Sequence, residues 1–228
     1  SNIGTIKIAR KIGEEKYKKF LKDLNLLNNP KFELDEIGSP IPFNWNKCKL
    51  ETVSFGHGIT TTPLQAAAAY ATLINGGMLV TPTLEKDKNN DLKSKRIISN
   101  TTSMKLKKIL RKVVTHKNGT ASLADIYGYN VSGKTGTSQY YDDDSKNINT
   151  FISFFTVSNK SYILLVMLDN PQIAENLIYD YRGFKIKGTR NEAGWNAVYS
   201  SGKIIEKIGP ILAINNKEIP NHVVKKTN

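Results

Sequence analysis

Cysteine is nearly absent from this chain. Cys48 is the single one among 228 residues, so no disulfide can close within it, and the redox compartment is left undecided. Histidine is almost as scarce. His57 and His116 lie in separate segments without ligand-type spacing, which argues against a metal site. Long apolar runs are also missing: no stretch nears the roughly 20 residues of a membrane-spanning helix, and no signal-peptide pattern is present. Acidic residues are outnumbered, 20 against 33 basic ones, for a formal charge of +13. Neither an internal repeat nor a long low-complexity stretch occurs. With 39% apolar residues, the chain can still bury a substantial core in one or two lobes.

The positive charge raises the question of nucleic-acid binding. Its carriers are dispersed, as Lys16, Lys18, Lys19 and Lys22, then Lys105, Lys107, Lys108, Arg111 and Lys112. They fall on the outer faces of amphipathic helices, the usual place of a solvated surface. Basic residues interleaved with aromatics are absent, so no nucleic-acid partner is expected. Non-specific attraction to an anionic membrane face or to acidic polymers is the milder consequence.

The most informative segment fits two incompatible chemistries. Gly128 to Thr135 matches the phosphate-binding pattern G-x-x-x-x-G-K-[ST] letter for letter. The run 162–168 followed by Asp169 even resembles the strand whose acid helps hold Mg²⁺ in such enzymes. That loop works only when a helix starts at the Lys-Thr and points its N–H groups at the phosphates. Here Gly136, the β-branched Thr137 and then Asp142, Asp143 and Asp144 follow, and they make no helix with an apolar face. Read one residue further on, Lys134-Thr135-Gly136-Thr137 is the Lys-Thr-Gly motif of serine acyltransferases.

The surroundings suit the second reading. Residues 131–139 are small, Thr- and Ser-rich, as expected of an exposed strand that another backbone can approach. Two apolar runs, 150–157 and 161–168, are separated by the turn signal Ser158-Asn159-Lys160. Three strands with short polar links predict an antiparallel meander, and Asp169-Asn170-Pro171 is then a turn. Trp195, Val198, Tyr199, Gly202, Ile205 and Ile208 recur at helical spacing and predict a helix packed on that sheet. The first half reads as mainly helical. Residues 14–24 place Tyr17, Phe20, Leu21 and Leu24 on one face, with Glu14/Lys18 and Glu15/Lys19 as i,i+4 pairs. Residues 64–74 follow a Thr62 cap and Pro63 and end at Asn75-Gly76-Gly77. Residues 102–115 carry Leu106, Ile109, Leu110, Val113 and Val114 at helical spacing. Residues 31–58 read as a long connection. The fold class is therefore α+β: an antiparallel sheet covered by helices, with a mainly helical lobe over 1–125 and a sheet lobe over 126–228.

Several motifs in order carry a family resemblance. They are Ser1-Asn2-Ile3-Gly4, Ser54-Phe55-Gly56-His57-Gly58, Thr62-Pro63-Leu64-Gln65 through Gly77, Gly133 to Ser138, Val166 to Pro171, and Gly194-Trp195-Asn196-Ala197. Together they resemble the C-terminal part of the transpeptidase domain of a class B penicillin-binding protein. The Tyr70 helix and the closing Gly-Trp are more similar to the septal, division-specific branch. The resemblance implies a β-lactamase/transpeptidase-like fold, truncated at its N-terminus, and an enzyme that cross-links peptidoglycan stem peptides through a serine acyl-enzyme. It implies β-lactam binding, division-complex membrane proteins as partners, an inner-membrane location facing the periplasm, and no cofactor.

Residue by residue, the resemblance makes Asn2 the Asn of a Ser-x-Asn motif, hydrogen-bonding substrate and the general-base lysine. The pair Ser1-Asn2 also has the form of a cloning remnant, although Ile3-Gly4 continues the family pattern. Lys134 supplies positive charge near the substrate carboxylate, and the Thr135 and Thr137 hydroxyls bond it. Gly136 leaves room for the substrate backbone, the Thr137 N–H is an oxyanion donor, and Ser138 belongs to the substrate-binding strand. A plain turn between polar strands is the bland alternative for this motif.

The chain departs from the family at the nucleophile, which should lie in a Ser-x-x-Lys motif upstream of Ser-x-Asn. Only Ser200-Ser201-Gly202-Lys203 fits the letters, and it falls in the closing helix, after the Lys-Thr-Gly. The expectation is a fragment carrying half of an active site, inactive alone and self-associating as a dimer through apolar surface on residues 150–168. A division scaffold without activity is the alternative.

Overall fold

A computed structural model describes residues 1–28, 32–34, 44–46, 48–85, 95–140, 143 and 146–216. Asp142 and Asp144, and much of the 31–58 connection, lie outside them. By internal contacts the chain forms two compact units, Ser1–Lys107 and Lys108–Asn228. Among the described residues no helix is long and apolar enough to cross a membrane.

The first unit is helical: α1 (Asn2–Ile12), α2 (Glu14–Asp23), α3 (Lys49–Ser54), α4 (Pro63–Ile74) and the start of α5 (Asn100–Thr115). Thr62 and Gln65 close a reciprocal capping box on α4, satisfying two N–H groups that the first helical turn leaves unpaired. The buried Gln65 amide then donates to the Asn25 and Asn28 carbonyls at 2.9 and 2.6 Å, tying the end of α2 to the start of α4. On α2, Leu21 and the following Leu24 are buried, whereas Phe20 is 36% exposed, so the apolar face is narrower than its spacing suggested. Its i,i+4 ion pair is Lys19–Asp23, with Lys95 on the same carboxylate, rather than the expected Glu14/Lys18 and Glu15/Lys19. Helix α3 falls within the stretch that the sequence suggested was a connection.

The second unit is built on the meander β1 (Ser132–Gln139), β2 (Asn147–Val157) and β3 (Lys160–Asp169), antiparallel and in the order β1-β2-β3. Ser158 and Asn159, both at positive φ, make the tight β2–β3 turn. Strand β2 is central and buried on both faces, which is why its apolar residues, among them Phe151, Ile152, Phe154 and Phe155, do not simply alternate with polar ones. Phe151, Phe155 and Val157 meet Val198 and Ile205 of α6 (Ala197–Asn215) in one core with Val114, Val131 and Ala121. Phe155 is stacked on Tyr162 at 5.6 Å and meets the edge of Tyr129 at 6.4 Å. A separate hairpin, β4 (Ile178–Tyr181) and β5 (Phe184–Lys187), turns through Arg182 and Gly183 at positive φ. Its strands are only four residues each, which is why the sequence reading did not pick them out.

Candidate active site

Register fixes the site. Strand β1 pairs with β2 as Lys134↔Ile152, Thr135↔Phe151, Gly136↔Thr150 and Thr137↔Asn149. Because side chains alternate, Thr135 and Thr137 share one face and Lys134 the other. The strand is fixed at its entry by Arg111, which donates to the Val131 carbonyl at 2.5 Å and to Asp125 Oδ1 at 2.8 Å. Sequence spacing had placed Arg111 among the outward-facing cations of α5. It is instead the clamp that sets where β1 begins.

Among the described residues β1 pairs with β2 alone. In an antiparallel ladder alternate N–H and C=O groups point away from the partner, so such an edge offers a template for another backbone. Gly133 and Gly136 play different parts in it. A Cβ on Gly133 would fall 2.3 Å from the Ile152 carbonyl and against the Phe151 ring, so packing demands glycine there. A Cβ on Gly136 would meet nothing nearer than Thr150 Cβ at 4.0 Å, and its φ is not in the left-handed region. Among the described residues nothing requires glycine at that position.

The side chains are positioned by hydrogen bonds. Lys134 Nζ donates to the Thr135 carbonyl at 2.7 Å. Although much of the side chain is exposed, removal of water from around its ammonium holds the pKa below the ordinary lysine value. Thr135 Oγ1 lies 3.0 Å from Thr120 Oγ1. Thr137 Oγ1 donates to Asn149 Oδ1 at 3.1 Å, and the fully buried Asn149 donates in turn to the Asn191 carbonyl at 2.6 Å. Asn196 Nδ2 reaches Asn191 Oδ1 at 3.0 Å, and Asn196 Oδ1 caps α6 by accepting from the Ala197 N–H. One chain of amides thus links the motif strand to the loop that enters the closing helix. Ser138 is exposed on the same strand. Asn2 is the first residue of α1 in the first unit, behind the Ser1 cap; the Lys-Thr-Gly residues belong to the second.

Next to Thr135 and Thr137 opens a cavity of about 370 Å³, bounded by Thr120, Tyr181, Arg190, Glu192 and Trp195. None of Thr120, Asn149, Arg190 and Asn191 was singled out from sequence. Their roles come from cross-strand register and loop placement, for which no local pattern exists.

Lys134 and Thr135 lie mid-strand, in register with Ile152 and Phe151, so no phosphate-binding helix starts there and the P-loop reading fails. Asp169 ends β3 and accepts a hydrogen bond from the Tyr140 hydroxyl. The Ser200–Lys203 match sits on α6, where Lys203 donates to Glu206 at 2.9 Å and is held above the usual lysine value by that bond. A lysine kept protonated is a poor base.

The penicillin binding protein transpeptidase domain family matches residues 1–189. The chain belongs to that family. It is 31% identical over 230 residues to "Probable peptidoglycan D,D-transpeptidase FtsI" of Caulobacter vibrioides, covering 95% of this chain and 37% of the relative. It is 31% identical over 189 residues to "Stage V sporulation protein D" of Bacillus subtilis, covering 75% and 29%. The chain therefore spans about a third of the length of these relatives. The solved transpeptidase domain of Burkholderia pseudomallei penicillin-binding protein 3 superposes with a TM-score of 0.74 at 23% identity, covering 92% of this chain and 62% of that one. At that identity the likeness speaks for the fold, which is α+β with antiparallel strands and helices as the sequence predicted.

Proposed function

We propose that this chain is part of a peptidoglycan D,D-transpeptidase acting in cell division, and that its strand β1 receives the stem peptide as an added strand. The carrying observation is the open edge of β1, where Gly136 leaves space beside Lys134 and two threonine hydroxyls. A serine supplied by a Ser-x-x-Lys motif upstream attacks the carbonyl before the terminal D-Ala. The C–N bond breaks, the departing amine takes a proton, and an acyl-serine ester remains. The amine of a neighbouring stem then displaces the serine, which recovers its proton. In this scheme the Thr137 N–H stabilises the oxyanion, a contact whose loss costs roughly 10²–10³ in rate. The Thr135 and Thr137 hydroxyls hold the terminal carboxylate, Lys134 supplies positive charge near it from the strand's other face, Asn2 serves substrate and general base, and Ser138 extends the strand contact.

Lys134 fits this role through its environment. Partial loss of water weakens its hold on the proton, and an incoming carboxylate restores the lost interaction. β-Lactams bind the same strand by presenting a carboxylate and a strained amide. The proposal includes an inner-membrane location facing the periplasm, membrane proteins of the division complex as partners, and self-association of the isolated chain.

The test is intact mass after penicillin treatment of a protein extended upstream to the nearest Ser-x-x-Lys, with the 228-residue chain as control. A stoichiometric penicilloyl adduct on the extended protein alone is expected. No adduct on either would sink the enzyme reading and leave a binding module of the division machinery.

A further inference from the structure

The two hydroxyls of the motif strand are backed by different partners. Thr135 Oγ1 lies 3.0 Å from Thr120 Oγ1, and a hydroxyl can serve as donor or acceptor. Thr120 can therefore give its proton to Thr135, which keeps its own proton for a ligand. Thr137 has no such choice. It stands opposite Asn149 in the β1–β2 register, and its hydroxyl donates to Asn149 Oδ1 at 3.1 Å. Asn149 is fully buried, and its Nδ2 donates to the Asn191 carbonyl at 2.6 Å. Turning the amide over would set two acceptors against each other, so Oδ1 is fixed toward Thr137. Asn191 is itself held in place. Its side chain donates to the Pro171 carbonyl, and its own carbonyl and side-chain oxygen both accept from Asn196.

A hydroxyl carries one proton. Thr137 can serve a ligand carboxylate only by abandoning Asn149, whose oxygen would then be buried and unpaired. Thr135 can serve it at no such cost. We propose that Asn149 is a positioning residue that holds back the Thr137 hydroxyl, making Thr135 the main donor to the ligand carboxylate and Thr137 a weak second. This rests on the transpeptidase reading above and grades the two hydroxyls named there. In that reaction the carboxylate leaves with the terminal residue once the C–N bond breaks, and a restrained hold on it lets that residue depart.

Binding of a synthetic peptide ending in D-Ala-D-Ala to the whole protein, read by calorimetry, tests it; penicilloylation is measured separately. Thr135→Val should weaken binding roughly tenfold or more, the scale of a hydrogen bond to a charged group. Thr137→Val removes a hydroxyl already committed to Asn149 and should weaken binding only about two- to threefold. Asn149→Leu frees that hydroxyl while keeping the site filled. Its effect on affinity should be about fivefold more favourable in the wild-type background than alongside Thr137→Val, a comparison that cancels any loosening of the strand. A merely structural Asn149 would act alike in both backgrounds, and that result would overturn the assignment. So would Thr137→Val costing as much as Thr135→Val, a comparison that does not depend on the Asn149 variant folding. The expected grading without any penicilloyl adduct would sink the transpeptidase reading and keep this one. An adduct with both threonine variants equally impaired would do the reverse, and neither binding nor adduct would remove both.

Discussion

Replacing Asn149 by alanine should loosen the motif strand and the β5–α6 loop together. The side chain is fully buried and makes two hydrogen bonds, accepting from Thr137 Oγ1 at 3.1 Å and donating to the Asn191 carbonyl at 2.6 Å. Each is worth about 1 kcal/mol net. Thr137 is exposed and can turn its hydroxyl to water, and the Asn191 carbonyl keeps a longer bond from Asn196 at 3.3 Å. The unsatisfied-group penalty is therefore small, and a total near 2 kcal/mol is expected. For a chain of this length that lowers Tm by about 4–8 °C. Asn149→Asp should cost more at neutral pH, because it sets a buried carboxylate against the Asn191 carbonyl. Burial raises such a carboxyl's folded pKa above its unfolded value, so the native state binds the extra proton and the deficit should shrink as pH falls. Differential scanning calorimetry at pH 5 and 8 checks both. A Tm shift under about 1 °C for Asn149→Ala, or a deficit in Asn149→Asp that grows toward acid, would refute the reasoning.

The two motif glycines should separate packing from function. Gly133→Ala should cost about 1–3 kcal/mol through overpacking, whereas Gly136→Ala should stay within about 0.5 kcal/mol of wild type and slow penicilloylation of the extended protein roughly 10²-fold; chemical denaturation and acylation kinetics check the pair. Phe155→Ala should lose about 3–5 kcal/mol in a urea titration, since its ring fills the space between Tyr129, Tyr162 and α6. Lys134 has a folded pKa below its unfolded value, so its charge opposes folding at neutral pH and the opposition fades as pH rises toward 10.5. Lys134→Gln should remove that alkaline gain in stability, as seen in Tm measured from pH 7 upward.

Legibility followed the range of the forces involved. The β2 and β3 runs, the capped α4 and the closing helix were readable because burial and caps leave local patterns: five of the eight residues from Thr150 to Val157 are apolar, and Thr62 stands three residues before Gln65. Helix α3 is about one and a half turns long, too short to show a helical period, and the β4–β5 hairpin has strands of four residues each, so its alternation of Tyr179-Asp180-Tyr181 and Phe184-Lys185-Ile186-Lys187 is too brief to stand out. The site divides the same way. Lys134, Thr135, Gly136 and Thr137 are contiguous and carry their chemistry in their spacing. Asn149 joins them only through the β1–β2 register, and Arg190 and Trp195 only through a loop that Asn191 pins from within. Phe20 and Arg111 show the converse: periodicity assigned each a face, and tertiary contacts decided otherwise.

The open edge of β1 has a consequence for discrimination. An edge strand reads the shape and polarity of a backbone, which all peptides share, and is blind to most of what distinguishes one side chain from another. Selectivity must then come from what stands beside the strand, while the strand itself stays open to any rigid molecule that counterfeits a peptide bond. Under the proposed function, tolerance of varied partners and vulnerability to mimicry are one property. The space kept clear over Gly136 is its physical form.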